Sequence, residues 1–411
     1  MPNPLQLSLV NFKKGSYIIV EGKQNADYFY IIRSGKVRIS KEFEVVDDDS
    51  GRVLGPGDFF GVISTMSSHS HIETAMALTD VSLISVHRDQ YGLLIEKNTP
   101  VAMKIIMSFS QKMRSLDETL TRLTFKNTAR VDPVHLFKVA EYYARQNLYN
   151  LAYYAYYKYI QYCPNGDNLS LAKERMAKIH PYAKAVHLDP NPADFNRSYP
   201  KDSMIFSEAE PGKELFIIQR GSVKISKIVD ENEVMLALLK TGDIFGEMAL
   251  LENMPRSASA IALEDTSLLV VSKANFQRMV QTQAQLISKL TTLLAERLWF
   301  IYKQLANSLI SDPLGKMYDS LLMQLEKNRV PIVAGESFTF DFGPKELVNM
   351  VGLPLNQSQA FTQKLFENKK IKVVNGKMSV TDLEDIKRQS EYFKKMEKIE
   401  RSRHQGSIQN R

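Results

Sequence analysis

A single cysteine, Cys163, leaves this 411-residue chain without any intrachain disulfide framework and fits a reducing compartment. Its seven histidines are scattered, with neither an HExxH run nor paired Cys/His spacing. Neither a nucleophile elbow of the G-x-S-x-G type nor a phosphate loop ending in Gly-Lys-Ser/Thr occurs. No enzyme and no bound metal are therefore expected. No apolar run approaches the roughly 18 residues of a spanning helix. The start, MPNPLQLSLVNFKKG, also lacks a basic segment followed by a long apolar one. No membrane association is expected, and a cytoplasmic location is. With 44% hydrophobic and 24% charged residues the chain is not disordered as a whole, and its length predicts two to four domains.

What is present first is an internal repeat. IVEGKQNADYFYIIRSGKVRIS (19–40) lies over IFSEAEPGKELFIIQRGSVKIS (205–226) without a gap. Further on, LGPGDFFG (54–61) lies over LKTGDIFG (239–246). Both copies read as short alternating strands with glycine turns, the pattern of a small β-barrel.

The second copy continues into GDIFGEMALLENMPRSASAIA (242–262). A turn leads to Phe245, Gly246-Glu247 opens a short helical turn, Pro255 ends it, and Arg256-Ser257-Ala258 runs into a strand-like stretch. Glycine permits close backbone approach, and the first N–H groups of a helix lack internal partners, so a helix start is an anion site. An arginine opposite it offers a planar fork that matches two phosphate oxygens. Glu247 has the wrong sign for phosphate and suits a ribose hydroxyl.

The order Gly-Glu, helical turn, Pro-Arg-Ser-Ala resembles the phosphate-binding cassette of cyclic-nucleotide-binding domains, the sensors of the catabolite activator (Crp/Fnr) family. The resemblance gives Gly246 and Glu247 to the ribose side and Arg256 and Ser257 to the cyclic phosphate. Met248, Ala249, Ala258 and Tyr302 complete the ligand set. It implies a cyclic nucleotide as effector: cyclic AMP first, with cyclic GMP or a cyclic dinucleotide as alternatives. In the first copy Val62 stands for Glu247, His71 for Arg256 and Ile72 for Ser257, so that barrel is expected not to bind the same ligand.

Between the barrels, Gln90–Thr124 has helical spacing. Residues 133–164 are rich in tyrosine. Leu136, Ala140, Tyr143, Ala152, Tyr156 and Pro164 fall at positions of a tetratricopeptide (TPR) repeat of about 34 residues, although Tyr159 occupies a place normally small. Lys173–Ala185 is expected to be the next helix, and Asp189–Pro192 a rigid linker. Such a unit cannot bury its own face, so it docks on the barrels or on a protein partner.

After the second barrel one long helix is expected from Lys273 to about Ser311. Leu286, Leu290, Leu294, Leu298, Ile301, Leu305 and Leu309 recur at spacings of three and four, a stripe suited to a homodimer seam. The resemblance also sends this helix to the nucleotide base at Ile301 and Tyr302, with Trp299 or Tyr302 as stacking rings.

Beyond Asp312-Pro313, a helix (Leu314–Asn328), a short strand (Ser337–Phe342), two helices around Gly352 and a hairpin at Asn375-Gly376 spell a winged helix-turn-helix. The family usually has arginines at the start of the recognition helix. Here Asn356, Gln357, Ser358 and Gln359 stand there, with Lys364 and Lys377 for phosphates. The net charge of +7 is concentrated toward this end, with Lys369, Lys370 and Lys372 nearly unopposed by acids in their stretch.

The expected fold class is α+β: two cyclic-nucleotide-binding β-barrel (jelly-roll) domains, a TPR-like helical linker, a long dimerisation helix and a C-terminal winged helix-turn-helix. The boundaries are 1–125, 131–190, 191–272, 273–311 and 312–390, with a basic tail at 391–411. Three functions follow as alternatives. One is a homodimeric, cyclic-nucleotide-responsive transcription regulator acting on promoter DNA. The second is a nucleotide sensor acting on protein partners through the TPR-like segment, without DNA. The third is a regulatory subunit that binds and releases an enzyme.

Overall fold

The computed structural model describes residues 7–24, 26–41, 51–125, 132–184, 186, 188–191, 194–229, 232–352 and 355–409. Pro192, the end of the expected linker, lies outside them. The chain divides into two compact units, residues 1–298 and 299–411.

The first unit begins with β1 (Ser8–Phe12), β2 (Tyr17–Ile19), β3 (Tyr28–Ser34), β4 (Val37–Ser40), β5 (Val53–Leu54) and β6 (Phe59–Phe60). A short helix α1 (Val62–Ser67), β7 (Thr74–Ala77), β8 (Val81–His87), α2 (Tyr91–Lys97) and α3 (Thr99–Phe125) follow. Two antiparallel sheets, β1-β8-β3-β6 and β2-β7-β4-β5, enclose a core of Ile32, Val37, Leu54, Phe60 and Leu83. Three helices come next: α4 (His135–Arg145), α5 (Tyr149–Tyr162) and α6 (Leu169–Ile179). The third of these begins four residues before, and ends six before, the stretch 173–185 expected for it.

The second barrel repeats the first strand for strand. It comprises β9 (Asn196–Tyr199), β10 (Met204–Phe206), β11 (Glu214–Arg220), β12 (Ser222–Val229), β13 (Asn232–Lys240), β14 (Ile244–Phe245), α7 (Glu247–Glu252), β15 (Ser259–Ala262) and β16 (Thr266–Ser272). Its sheets run β9-β16-β11-β14 and β10-β15-β12-β13, the same order as in the first copy. The correspondence extends to backbone detail: Gly61 and Gly246 both have φ 79° at the helix start, and Ser68 and Asn253 both have φ 55° at its end.

The helices after each barrel are paired in the same way. α8 (Lys273–Thr282) and α9 (Ala284–Ser308) are separated at Gln283 (φ −134°), as α2 and α3 are at Asn98 (φ −145°). The single helix expected from Lys273 to Ser311 is thus two, and so is that from Gln90 to Thr124. A one-residue break leaves spacings of three and four nearly in phase, which is why periodicity does not reveal it.

The leucine stripe also has a different use. Leu290, Leu294, Leu298 and Leu305 are each at most 2% exposed within a single chain. Side chains already enclosed cannot form a seam with a second copy, so the expected dimer interface through these four is corrected. Apolar periodicity marks a buried face without naming what buries it.

The helices between the barrels dock on the second one. Leu136, Ala140, Tyr143, Ala152, Tyr156 and Tyr159 share one cluster with Met204, Ala209, Ile228 and Ile261 of that barrel. Polar contacts reinforce it: Tyr154 Oη donates to Glu210 at 3.0 Å and Tyr143 Oη to Glu233 at 3.2 Å. Of the two expected fates for this face, the structure shows the intramolecular one.

The second unit holds α10 (Pro313–Lys327), β17 (Phe338–Thr339), α11 (Pro344–Met350), α12 (Leu355–Glu367), β18 (Ile371–Val374), β19 (Lys377–Val380) and α13 (Leu383–Gln409). Asp312 caps α10 by accepting from the N–H groups of Leu314 and Gly315, with Pro313 in the first turn. The strands pair β17-β19-β18. Asn375 and Gly376 both have positive φ (51° and 78°), as a two-residue primed turn requires.

Most of the basic segment expected at 391–411 belongs to α13, which continues to Gln409. Its Ser390 Oγ donates to the buried Asp319 carboxylate at 2.8 Å, and Lys394 Nζ pairs with it at 2.5 Å. Burial pushes the Asp319 pKa up, but Lys394, Asn307 and Ser390 together hold it below the ordinary value.

Candidate functional site

The cassette is built on β14 and α7. The φ of 79° at Gly246 turns the chain from strand to helix, in a region open to glycine and closed to most side chains. A Cβ at Gly246 would also lie 2.7 Å from Arg256 Nη1. Arg256 is 5% exposed. Its Nη1 donates to the Gly246 carbonyl at 2.6 Å and its Nη2 to the Glu214 carbonyl at 2.8 Å. The guanidinium carbon sits 4.1 Å from the centre of the Phe206 ring, and Phe216 flanks it at 5.6 Å. Burial pulls its pKa down, opposed by Glu210, Tyr154, Glu214 and Glu247.

Nε of Arg256 finds no hydrogen-bond partner. A guanidinium has five N–H donors, and the two carbonyls take one from each Nη. Nε–H and a second Nη–H thus remain as one edge of the fork, the arrangement that binds two oxygens of a phosphate.

Glu247 is 1% exposed, the first residue of α7. Its carboxylate pairs with Arg297 Nη1 of α9 at 3.2 Å, while Arg297 Nη2 donates to the Ile244 carbonyl at 2.6 Å. A carboxylate has about four acceptor positions, so this pairing leaves room for a hydroxyl donor. Asp117 of α3 faces the same group. Burial raises its pKa to about 7, opposed by Lys227, Arg297 and Arg114, while Glu247 adds to the rise.

The remaining ligand candidates divide between the two units. Met248, Ala249 and Ala258 are buried; Ser257 is part-exposed, its Oγ 3.8 Å from Met248 Sδ. Tyr302 lies in the second unit, 8% exposed. Trp299, in the same unit, is almost wholly buried beneath Lys303 Nζ.

Sequence reasoning missed Gly212, Glu214 and Phe206. A Cβ at Gly212 would lie 2.5 Å from Arg256 Nε and 2.6 Å from Ala249 Cβ, so only glycine lets the arginine lie there. The signal was available in the repeat, where Ala26 stands against Gly212, just as His71 stands against Arg256. The first copy is filled with other groups: Val62, His71 and Ile72 are buried, and Glu73 accepts from the Gly61 N–H at 3.0 Å.

Of the DNA candidates, the side chains of Asn356, Gln357 and Ser358 lie outside the described residues. Gln359 and Lys364 on α12 are exposed, and Lys377 pairs with Asp341 at 2.9 Å while half-exposed. Lys370 is engaged by Asp382 at 2.6 Å and Asp385 at 3.6 Å. The local excess of positive charge read from that stretch is therefore partly met by acids distant in sequence.

The chain is similar in sequence to known proteins. The family model "Cyclic nucleotide-binding domain" matches residues 9–98 and 196–283, so the chain carries two such domains. The "Cyclic AMP receptor protein" of Thermus thermophilus is 37% identical over 103 residues, 25% of this chain and 48% of that protein. The "CRP-like cAMP-activated global transcriptional regulator" of Mycobacterium tuberculosis is 26% identical over 162 residues, 39% of this chain and 70% of that one. A "cAMP-dependent protein kinase regulatory subunit" of Eremothecium gossypii is 25% identical over 278 residues, 68% of this chain and 44% of that one. The matches thus span about half of the Thermus protein and less than half of the fungal one. Among the described residues no helix is long and apolar enough to cross a membrane, and no cluster of His, Cys, Asp and Glu suits a metal.

Proposed function

We propose that the chain is a cyclic-nucleotide-responsive transcription regulator whose ligand is held by the second barrel. The observation that carries this is the buried Arg256 with its unpartnered Nε, beside the start of α7. Glu210, Glu214 and Glu247 act on its charge, but its hydrogen bonds go to neutral carbonyls, which leaves a donor edge for two oxygens of an anion. Cyclic AMP is the first ligand to test, because the Thermus and Mycobacterium relatives are named for it. Glu247 takes the ribose hydroxyl and Arg256 with Ser257 the cyclic phosphate.

The response passes through α9. Arg297 ties Glu247 to that helix. A nucleotide shifts the helix only if it binds one arrangement more tightly than another, and a hydroxyl on Glu247 changes what Arg297 can hold. The elements after α9 are then a winged helix, with α12 as reader, Gln359 and its neighbours at base edges, and Lys364 and Lys377 at phosphates. Two copies on a two-fold axis would meet half-sites about one DNA turn apart. Their contact lies outside the four buried leucines.

A second reading is favoured by one finding: the fungal kinase-subunit match runs over 68% of this chain. In that case the two barrels regulate an enzyme partner instead of DNA. Selection of bound genomic fragments by the purified chain, with and without saturating cyclic AMP, separates the two. Recovery of a palindromic site that depends on nucleotide supports the regulator. No site, with nucleotide-dependent capture of an enzyme, supports the second reading.

A further inference from the structure

The first copy has lost its own arginine and glutamate, yet its last helix reaches the cassette of the second. Ser110 Oγ of α3 donates to Glu252 Oε1 at 2.5 Å, and Arg114 Nε donates to Glu252 Oε2 at 2.5 Å. Arg114 Nη1 donates to the Pro255 carbonyl at 3.2 Å. Glu252 is the last residue of α7, and Pro255 directly precedes Arg256. One guanidinium therefore bridges both ends of the turn that delivers the phosphate-binding arginine.

The turn itself offers few internal bonds. Asn253 is in the left-handed region at φ 55°, Met254 is exposed, and Pro255 has no N–H to give. Besides Arg114, Lys273 Nζ donates to Asn253 Oδ1 at 2.7 Å, the Arg256 N–H donates to the Glu210 carbonyl at 2.8 Å and the Ala209 N–H donates to the Arg256 carbonyl at 2.9 Å. The side chains of Arg114 and Glu252 are 9% and 10% exposed, so water screens their attraction weakly. In the first copy the residue matching Glu252 is Ser67, and there the phosphate arginine is absent as well.

We infer that Arg114 is a positioning residue for Arg256, so that the first copy takes part in nucleotide binding by the second. This rests on the proposal that the second barrel binds a cyclic nucleotide. Phosphate recognition by a fork demands placement within about 0.5 Å, and a loose turn would forfeit it. Arg114 acts through the turn and touches no nucleotide itself.

The test is calorimetric titration of the full chain with cyclic AMP, cyclic GMP and cyclic di-GMP, with thermal melting as the control for folding. Arg114→Ala should weaken binding by about tenfold or more in chains that still melt cooperatively. Arg114→Lys keeps a charge against Glu252 but cannot also span to the Pro255 carbonyl, so it should fall between; it carries the test if Arg114→Ala does not fold. In an Arg256→Lys background the effect of Arg114→Ala should shrink to less than about threefold, since the fork it positions is gone. Unchanged or tighter binding by Arg114→Ala, or an equal loss in both backgrounds, overturns the inference alone. If the wild-type chain binds none of the three nucleotides, the parent proposal falls and takes this one with it.

Discussion

Replacing Arg256 by alanine removes the group on which nucleotide binding is proposed to rest, and two separate effects must be told apart. The first is on the free protein. Arg256 supplies hydrogen bonds to the carbonyls of Gly246 and Glu214 and lies over Phe206. Hydrogen bonds from charged donors contribute about 1.5–3 kcal/mol each, offset by the desolvation that burying the guanidinium costs. A net destabilisation of about 2 kcal/mol is the reasonable expectation. The second effect is on binding. Removing one partner of a buried charged pair costs about 2–5 kcal/mol, or roughly 30-fold to 5,000-fold in affinity. Calorimetry with cyclic AMP reads the second directly, and melting with and without nucleotide reads both. A wild-type chain at 100 times Kd should gain about 2.7 kcal/mol of stability from ligand. The alanine variant should melt lower without ligand and gain less than about 1 kcal/mol at the same concentration. Arg256→Lys should fall between, since it keeps the charge but loses the fork. His71→Ala should leave affinity unchanged. Equal affinity in Arg256→Ala and His71→Ala would refute the assignment of the second barrel as the sensor.

Gly212→Ala should reduce nucleotide affinity about tenfold or more, because its Cβ would displace Arg256 or Ala249, and titration of the folded variant checks it. Asp117 has a folded pKa near 7, above its ordinary value, so its protonated form is favoured by folding. Its contribution is therefore full below about pH 4 and is lost as pH rises to about 7, by an amount on the order of a few kcal/mol. Asp117→Asn should flatten that slope in melts taken across the range, with Lys227, Arg297, Glu247 and Arg114 as the facing groups. Leu294→Asp buries a charge inside one chain, so it should lower the melting temperature sharply, and a cooperative melt near the wild-type value would restore the dimer-seam interpretation. Lys364→Ala should weaken all DNA sequences alike, whereas Gln359→Ala should relax sequence preference, both read by binding at several salt concentrations.

Much of the second barrel was legible because its constraints are local. Gly246, Pro255 and Arg256 must stand in one order for a strand to end, a helix to start and a guanidinium to return, and that order is visible in one line of sequence. The repeat was legible for the same reason, since glycines such as Gly35 and Gly221 (φ 90° and 92°) sit at backbone positions other residues rarely adopt. What stayed hidden depends on contacts between distant segments. Gly212 reads as an ordinary turn glycine until Arg256 is seen against it. The acids that meet Lys370 come from Asp382 and Asp385, beyond the stretch in which charge was counted.

The leucine stripe shows the same limit from the other side. Spacing identified the buried face of α9, and burial of Leu290, Leu294 and Leu298 agrees with it. Spacing carries no label for the partner, and a unit with two barrels and the helices α2 to α6 and α8 has ample surface of its own to cover such a face. The same holds for Tyr143 and Tyr156, whose helices were expected to dock on the barrels or on a protein partner and pack on the second barrel. In both places the physical requirement was read correctly, that an apolar face must be covered. Which surface covers it is decided by topology, because a segment tethered in the same chain docks without the association entropy that a second molecule must overcome.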